Sequence, residues 1–303
     1  MKFSKVSLSL SVLATLALAV PAAHAGDGSN LLQYLPANTQ MVMTVNVANL
    51  RSAPVYQQVA TMVTGTSEYQ EMMSEISTRT SFNPVNDVNT VVMGSTVVSE
   101  AAGDSFVFIV EANVNFDEIY TALESDGTLT RQNRGDVVFY GDNDYTLAFL
   151  APGVIALGTP SLLNQSIAVA AGEAAGASPP SMTAALSGVD RSRSMWVAVN
   201  APPEQAAEIR TMSVSVGISN TVALTGSAVF TSEELAQGAA LAFEQMKAEA
   251  AANPMVTQFG LGSVVNSMTL NVSGSTATLN ANIDATTWSL LTTTLLALIQ
   301  SEL

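Results

Sequence analysis

Apolar and polar residues alternate from Met41 to Val47. Met41, Met43, Val45 and Val47 fall on one side and Val42, Thr44 and Asn46 on the other, the two-residue period of a half-buried strand. Pro36-Ala37-Asn38 reads as the turn before it. After it, Pro54 suits the first turn of a helix, where a missing N–H costs nothing, and Val55, Val59, Met62 and Val63 follow at helical spacing. Leu35–Val63 therefore predicts turn, strand, polar exit and helix. Met195–Met212 reads as a weaker echo, a strand over Met195–Val199 and a helix opened by Pro203 that runs to Met212.

The same patterns predict a helix over Ser67–Arg79 with Tyr69, Met72, Met73 and Ile76 on one face, stopped at Asn83-Pro84. Strands follow at Thr90–Ser99 and Ser105–Val114, then a short helix over Phe116–Glu124. A three-strand meander comes next, over Leu129–Arg134, Val137–Gly141 and Tyr145–Leu150. Gly153–Leu157 reads as one more strand, and Ser161 as the cap of a helix to Ala170. In the second half, Val214–Phe230 holds two strands. Thr231 with Glu234 forms a capping box for a long helix with Leu235, Ala239, Ala242, Phe243 and Met246 on one side, and Asn253-Pro254 ends it. Met268–Val272 and Thr276–Ile283 form a hairpin, and a helix over Thr286–Ser301 closes the chain with Trp288, Leu291, Leu295, Leu298 and Ile299 on a broad apolar face.

Strands and helices in this order predict an α+β fold, two similar units of mostly antiparallel sheet with helices packed on one face. The small-residue, proline-containing stretch 172–181 is the expected linker between a unit over 26–171 and a unit over 182–303. The stretch from Asn89 to Val98 resembles that from Asn220 to Val229 with one residue inserted. In so Asn-, Thr- and Val-rich a chain, duplication and chance are equally open readings of that internal repeat.

The N-terminus adds an export signal. Lys2 and Lys5 precede an apolar run from Val6 to Val20, and Ala23-His24-Ala25 supplies a cleavage site, so residues 1–25 are expected to be removed and the protein to be periplasmic or extracellular. Removal takes the only His with it. It leaves 8 Lys+Arg against 25 Asp+Glu, a net charge of −17, with Lys247 as the only lysine. There is no Cys, so no disulfide frame is available, and at 48% hydrophobic and 12% charged residues the chain must rest on an ordinary core. So acidic a surface argues against nucleic acid and anionic membrane as partners.

These absences exclude more chemistry than the motifs offer. Without His or Cys, Ser-His-Asp and Cys-His catalysis and zinc or redox-metal sites have no ligands or base, and no phosphate-binding loop or dinucleotide fingerprint is present. Lys247, between Glu244 and Glu249, reads as a solvated ion-pair face rather than a base. Carboxylates remain. Asp142-Asn143-Asp144 is the densest oxygen cluster, yet it sits where a hairpin turn is expected. Asp117-Glu118 and Glu233-Glu234 suit helix N-termini, and Glu204 with Glu208 a solvated helical face. No acid pair stands out as catalytic. Arg131 with Arg134 and Arg191 with Arg193 could hold an anion, or offset acids such as Asp136 and Asp190. Asn46 and Asn49, before a helix N-terminus, offer a second anion reading. Met62, Met72 and Met73 read as core before they read as an adaptable binding surface. No catalytic or metal-binding residue and no cofactor is therefore assigned, and the ligand-binding residues stay unknown.

Leu35-Pro36-Ala37-Asn38-Thr39 before the apolar strand, followed by Asn49-Leu50-Arg51-Ser52-Ala53-Pro54, resembles an opening found in exported bacterial proteins of unknown function. The stretch Ala148–Pro160 is similar to a second element of such proteins. The resemblance covers the first 170 residues or so. It implies an exported α+β protein and brings no activity or site with it. The expectation is an exported, non-enzymatic protein that binds an envelope partner or an apolar ligand, or serves structurally, with no membrane span once the signal is removed. The alternative is a carboxylate-dependent hydrolase of envelope or extracellular polymers.

Overall fold

A computed structural model of the chain describes residues 27–96, 106–125, 130–141, 146–174, 182–201, 208–254, 256, 260–291 and 293. They group into two compact units, one drawn from Met1–Thr39 and Thr44–Pro180, the other from Gln40–Met43 and Ser181–Leu303. The architecture is α+β, with every resolved strand register antiparallel.

β1 (Met41–Asn46), whose residues from Thr44 onward belong to the first unit, stops where Asn46 turns its side chain back as a cap, Oδ1 accepting from Asn49 N at 2.9 Å. Val47 thereby opens α1 (Val47–Arg51) instead of ending the strand. Helices α2 (Pro54–Thr64), α3 (Ser67–Arg79) and α4 (Pro84–Asp87) follow. Thr66 caps α3 by accepting from Tyr69 N. Asn83-Pro84 does more than stop α3: Pro84 begins α4, and the Asn83 side chain accepts from Asn86 N. Then come β2 (Val88–Ser95), β3 (Phe106–Ala112), α5 (Phe116–Ser125), β4 (Arg131–Arg134), β5 (Val137–Gly141), β6 (Thr146–Ala151), β7 (Val154–Gly158) and α6 (Pro160–Ala170). The sheet order is β1-β2-β3-β7-β6-β5-β4, so the last strand of the meander inserts beside β3. Helix α6 packs on β3, β6 and β7 with Leu162, Leu163 and Ile167 buried. Its N-cap is Thr159, with Pro160 in the first turn, and not Ser161; the proline makes the residue before it the natural helix boundary. The expected linker begins as an ordered helix exit, because Gly172 N bonds to Val169 O and Glu173 N to Ala168 O; residues 175–181 lie outside the described residues.

The second unit contains α7 (Thr183–Ser187), β8 (Met195–Asn200), β9 (Ile209–Ile218), β10 (Val222–Phe230), α8 (Glu233–Ala252), α9 (Gly262–Ser267), β11 (Thr269–Ser273) and β12 (Thr276–Ile283), and residues 285–291 are helical. The order is β11-β12-β10-β9-β8. Here too a hairpin, β9-β10, is followed by a helix and a second hairpin whose last strand, β12, inserts beside β10. That is the frame of β2-β3, α5, β6-β7.

Several expectations change in this unit. The helix from Pro203 to Met212 is not formed over 209–212, which belong to β9; residues 202–207 lie outside the described residues. Alternation wins over the proline, because the strand period extends from Thr211 through Gly217 and β9 finds neighbours on both sides. The cap of α8 is Ser232, whose Oγ accepts from Leu235 N at 3.2 Å, so Thr231 and Glu234 form no capping box. Ala242 and Met246 face outward, while Ala236 is buried and Leu235, Ala239 and Phe243 are half-buried. The repeat-like stretches occupy different places: Asn89–Ser95 lies in β2, between β1 and β3, whereas Val222–Val229 lies in β10, between β9 and β12.

Candidate functional site

Several of the charged candidates are engaged by their own surroundings. Arg131 pairs with Glu124 at 3.5 Å and lies 4.7 Å over the Tyr120 ring. Arg134 Nε donates to Glu173 at 2.8 Å, which holds the Glu173 carboxyl below its ordinary range; its partner is not Asp136. Arg193 pairs with Asp190 at 2.8 Å and lies against Gly217. Glu118 accepts from Ser81 N at 2.9 Å and from Ser81 Oγ, and these bonds lower its pKa; it ties the start of α5 to the segment after α3. Lys247 is no solvated ion-pair face: Nζ donates to Met268 O at 2.6 Å, binding α8 to the entry of β11. Glu233 accepts from Gln237 at 3.0 Å, and Asn46 is spent on its cap. Asp142-Asn143-Asp144 and Glu204 lie outside the described residues, as do the side chains of Met62 and Met72; Glu208 is exposed and Met73 half-buried.

Sequence reasoning missed a buried cluster in the first unit. Arg51, the last residue of α1, is 3% exposed and donates through Nη2 to Val88 O at the start of β2. Burial lowers its pKa to about 10, against the pull of Tyr56 and Asp87. Burial pushes Tyr56 up, with Arg51 opposing, and raises the neighbouring Tyr69 as well. At neutral pH the guanidinium stays charged, so the cluster fixes α1 against β2. A motif reading places Arg51 before a proline-led helix and has no means of showing that the turn folds inward.

The surface of the second unit is more informative. Residues paired across an antiparallel ladder share a face. Val199, Met212 and Ala228 are paired in a row, as are Val197, Val214 and Gly226, and Met195, Val216 and Leu224. This face is apolar throughout. A bulge at Val229/Phe230 brings Ile209 opposite Phe230 and so onto the same face. The reverse face carries Thr211, Ser213 and Ser215 with Trp196 and Ala198.

Burial inverts the usual preference. The hydroxyl-bearing residues are enclosed: Ser213 Oγ donates to Gly188 O at 3.1 Å, and Ser215 Oγ accepts from Asp190 N at 2.9 Å. Met212 and Ile209, on the apolar face, are 41% and 37% exposed. The α8 cluster of Phe230, Ala236 and Ala277, with Leu270 and Val272, covers the β10-β12-β11 side. Among the described residues, the large apolar side chains left exposed are Ile209, Met212, Leu241, Met246 and Leu290, and all belong to this unit. The sequence signal was available in the strict alternation of Thr211-Met212-Ser213-Val214-Ser215-Val216.

No group of three or more acidic, His or Cys residues suited to a metal occurs among the described residues, and no described helix is long and apolar enough to cross a membrane. No protein-family model matches the chain, and no curated protein matches it. Solved structures similar to it include those of TP0453, from Treponema. Crystal form I aligns with a TM-score of 0.47 and 11% identity, over 89% of this chain and 98% of that one. Crystal form III aligns with a TM-score of 0.48 and 9% identity, over 86% and 97%.

Proposed function

We propose that this is an exported, non-enzymatic binding protein that engages an apolar ligand or the apolar surface of an envelope partner through the second unit. One observation carries the reading. The Met195–Val216–Leu224 face is apolar and leaves Met212 and Ile209 exposed, while the Ser/Thr face of the same strands is enclosed. Leaving apolar area in water is unfavourable by roughly 25 cal/mol per Å², and an occupant would recover that term. The hydrolase alternative draws no support from the described carboxyl groups. Glu118, Glu173, Asp190 and Asp284 are all pushed down by hydrogen bonds, whereas a general acid must be pushed up.

The test is native mass spectrometry of purified residues 26–303, together with titration of an environment-sensitive apolar dye. A retained apolar ligand, or dye binding that Met212→Glu reduces at least tenfold, is the expected result. Dye binding unchanged by Met212→Glu, with no ligand retained and no envelope protein cross-linked, would sink the reading.

A further inference from the structure

Among the described residues, two strands close the sheet order with a single neighbour each, β4 beside β5 in the first unit and β11 beside β12 in the second. They are built differently. β4 is four residues long, Arg131-Gln132-Asn133-Arg134, and its charged ends are the device by which natural sheets refuse a further strand. β11 is Thr269-Leu270-Asn271-Val272-Ser273, with no charge, no proline and no register shift against β12.

Its hydrogen-bonding direction follows from the turn. Gly274, at φ +56°, and Ser275 form a two-residue connection that sets Ser273 opposite Thr276. Bonded pairs then alternate along the ladder. Ser273/Thr276, Asn271/Thr278 and Thr269/Asn280 exchange bonds, and Leu270 and Val272 turn their N–H and C=O groups away from β12. Their side chains join the cluster under α8 yet stay half-buried, and no residue of β11 is fully buried. Both the backbone and the apolar side chains of this strand are left as if for one more neighbour.

We propose that the neighbour is β11 of a second copy, paired antiparallel about a twofold axis at Asn271. Leu270 then stands opposite the second copy's Val272 and Val272 opposite its Leu270, which forms four backbone hydrogen bonds. The Leu and Val side chains of the two copies continue one apolar face under the paired α8 helices. The edge is its own complement, the condition for an isologous contact. With the β4 edge guarded by arginines, the pairing ends at a dimer. This goes beyond the binding reading and does not rest on it, since Met212 and Ile209 lie on β9, which β12 and β10 separate from β11.

The chain has no cysteine, so a single one reports cleanly. Cα atoms in a non-hydrogen-bonded antiparallel pair are about 4.5 Å apart, within disulfide range. Asn271→Cys is expected to oxidise to a covalent dimer at least ten times faster than Asn133→Cys on the β4 edge. In sedimentation velocity the parent chain is expected to dimerise with rising concentration. Val272→Pro deletes an outward N–H and no bond to β12, and is expected to weaken the dimer at least tenfold. A parent chain that stays monomeric over its whole soluble range overturns the proposal. So does a dimer in which Asn271→Cys reacts no faster than Asn133→Cys. Should Val272→Pro fail to fold, the cysteine pair still decides.

Discussion

Arg51 donates to the backbone carbonyl of Val88, so the last residue of α1 is bonded to the first residue of β2 across 37 positions of sequence. The guanidinium is enclosed, with Tyr56 and Asp87 as its electrostatic neighbours. Arg51→Ala removes the stem, the charge and a donor to that carbonyl, and is expected to cost about 3 kcal/mol in denaturant unfolding. Arg51→Met keeps the packing and removes the charge that had to be desolvated, and should cost less than half as much. Equal losses in the two variants would show that the charge, not the shape, holds α1.

Tyr140 is buried, and its hydroxyl donates to Glu124 at 2.8 Å; burial and that carboxylate together push its pKa up to about 12. A tyrosine whose folded value is raised above about 10 contributes stability that is complete below pH 10 and is lost as pH rises toward the folded value. Arg51, lowered by burial, pulls the other way in the same range, so a comparison isolates the tyrosine. The stability gap between the parent chain and Tyr140→Phe is expected to shrink between pH 10 and 12 in urea unfolding. A gap that does not change with pH would refute it.

Gly158 ends β7 where the backbone of β3 passes directly over it. A Cβ there would meet the carbonyl oxygen of Phe106 and lie 2.8 Å from Val107 Cα. Backbone atoms cannot swing aside as a side-chain tip can. Gly158→Ala is therefore expected to lower stability by roughly 2–3 kcal/mol, read as a lowered thermal midpoint. Gly238, on the outer face of α8 with nothing within 4 Å, is the control, and Gly238→Ala should stabilise by up to about 1 kcal/mol.

Ser232, not Thr231, caps α8. Ser232→Ala is expected to cost about 1 kcal/mol and Glu234→Ala less than about 0.5 kcal/mol, because no capping box is there to lose. The reverse order in thermal unfolding would restore the sequence reading.

Most elements were legible because their cues are local. Alternation marked β1, β8 and the β11-β12 hairpin, and Pro54, Asn253 and Gly274 marked their boundaries. The misses share a cause. Pro203 offers a helix start that locally carries Ile209–Met212 with it, while the pairing that makes this segment a strand, with both β8 and β10, comes from residues distant in sequence. Leu235, Ala239, Ala242 and Met246 lie along one flank of α8, but only what the helix lands on decides that Met246 stays in solvent. Arg51 shows the limit most plainly. A charged residue after a strand reads as surface, and only its bond to Val88 explains why it lies inside.

In each unit an interior strand is the last of its described strands to be made. β7 lies between β3 and β6, and β12 between β10 and β11, although each follows its neighbours in the chain. Until Thr276–Ile283 has left the ribosome, β10 lacks one of its two partners and the second unit lacks the strand that joins β10 to β11. Such late, non-local pairing slows folding. A product that stops before Thr276 would therefore leave both β10 and β11 without the strand that joins them.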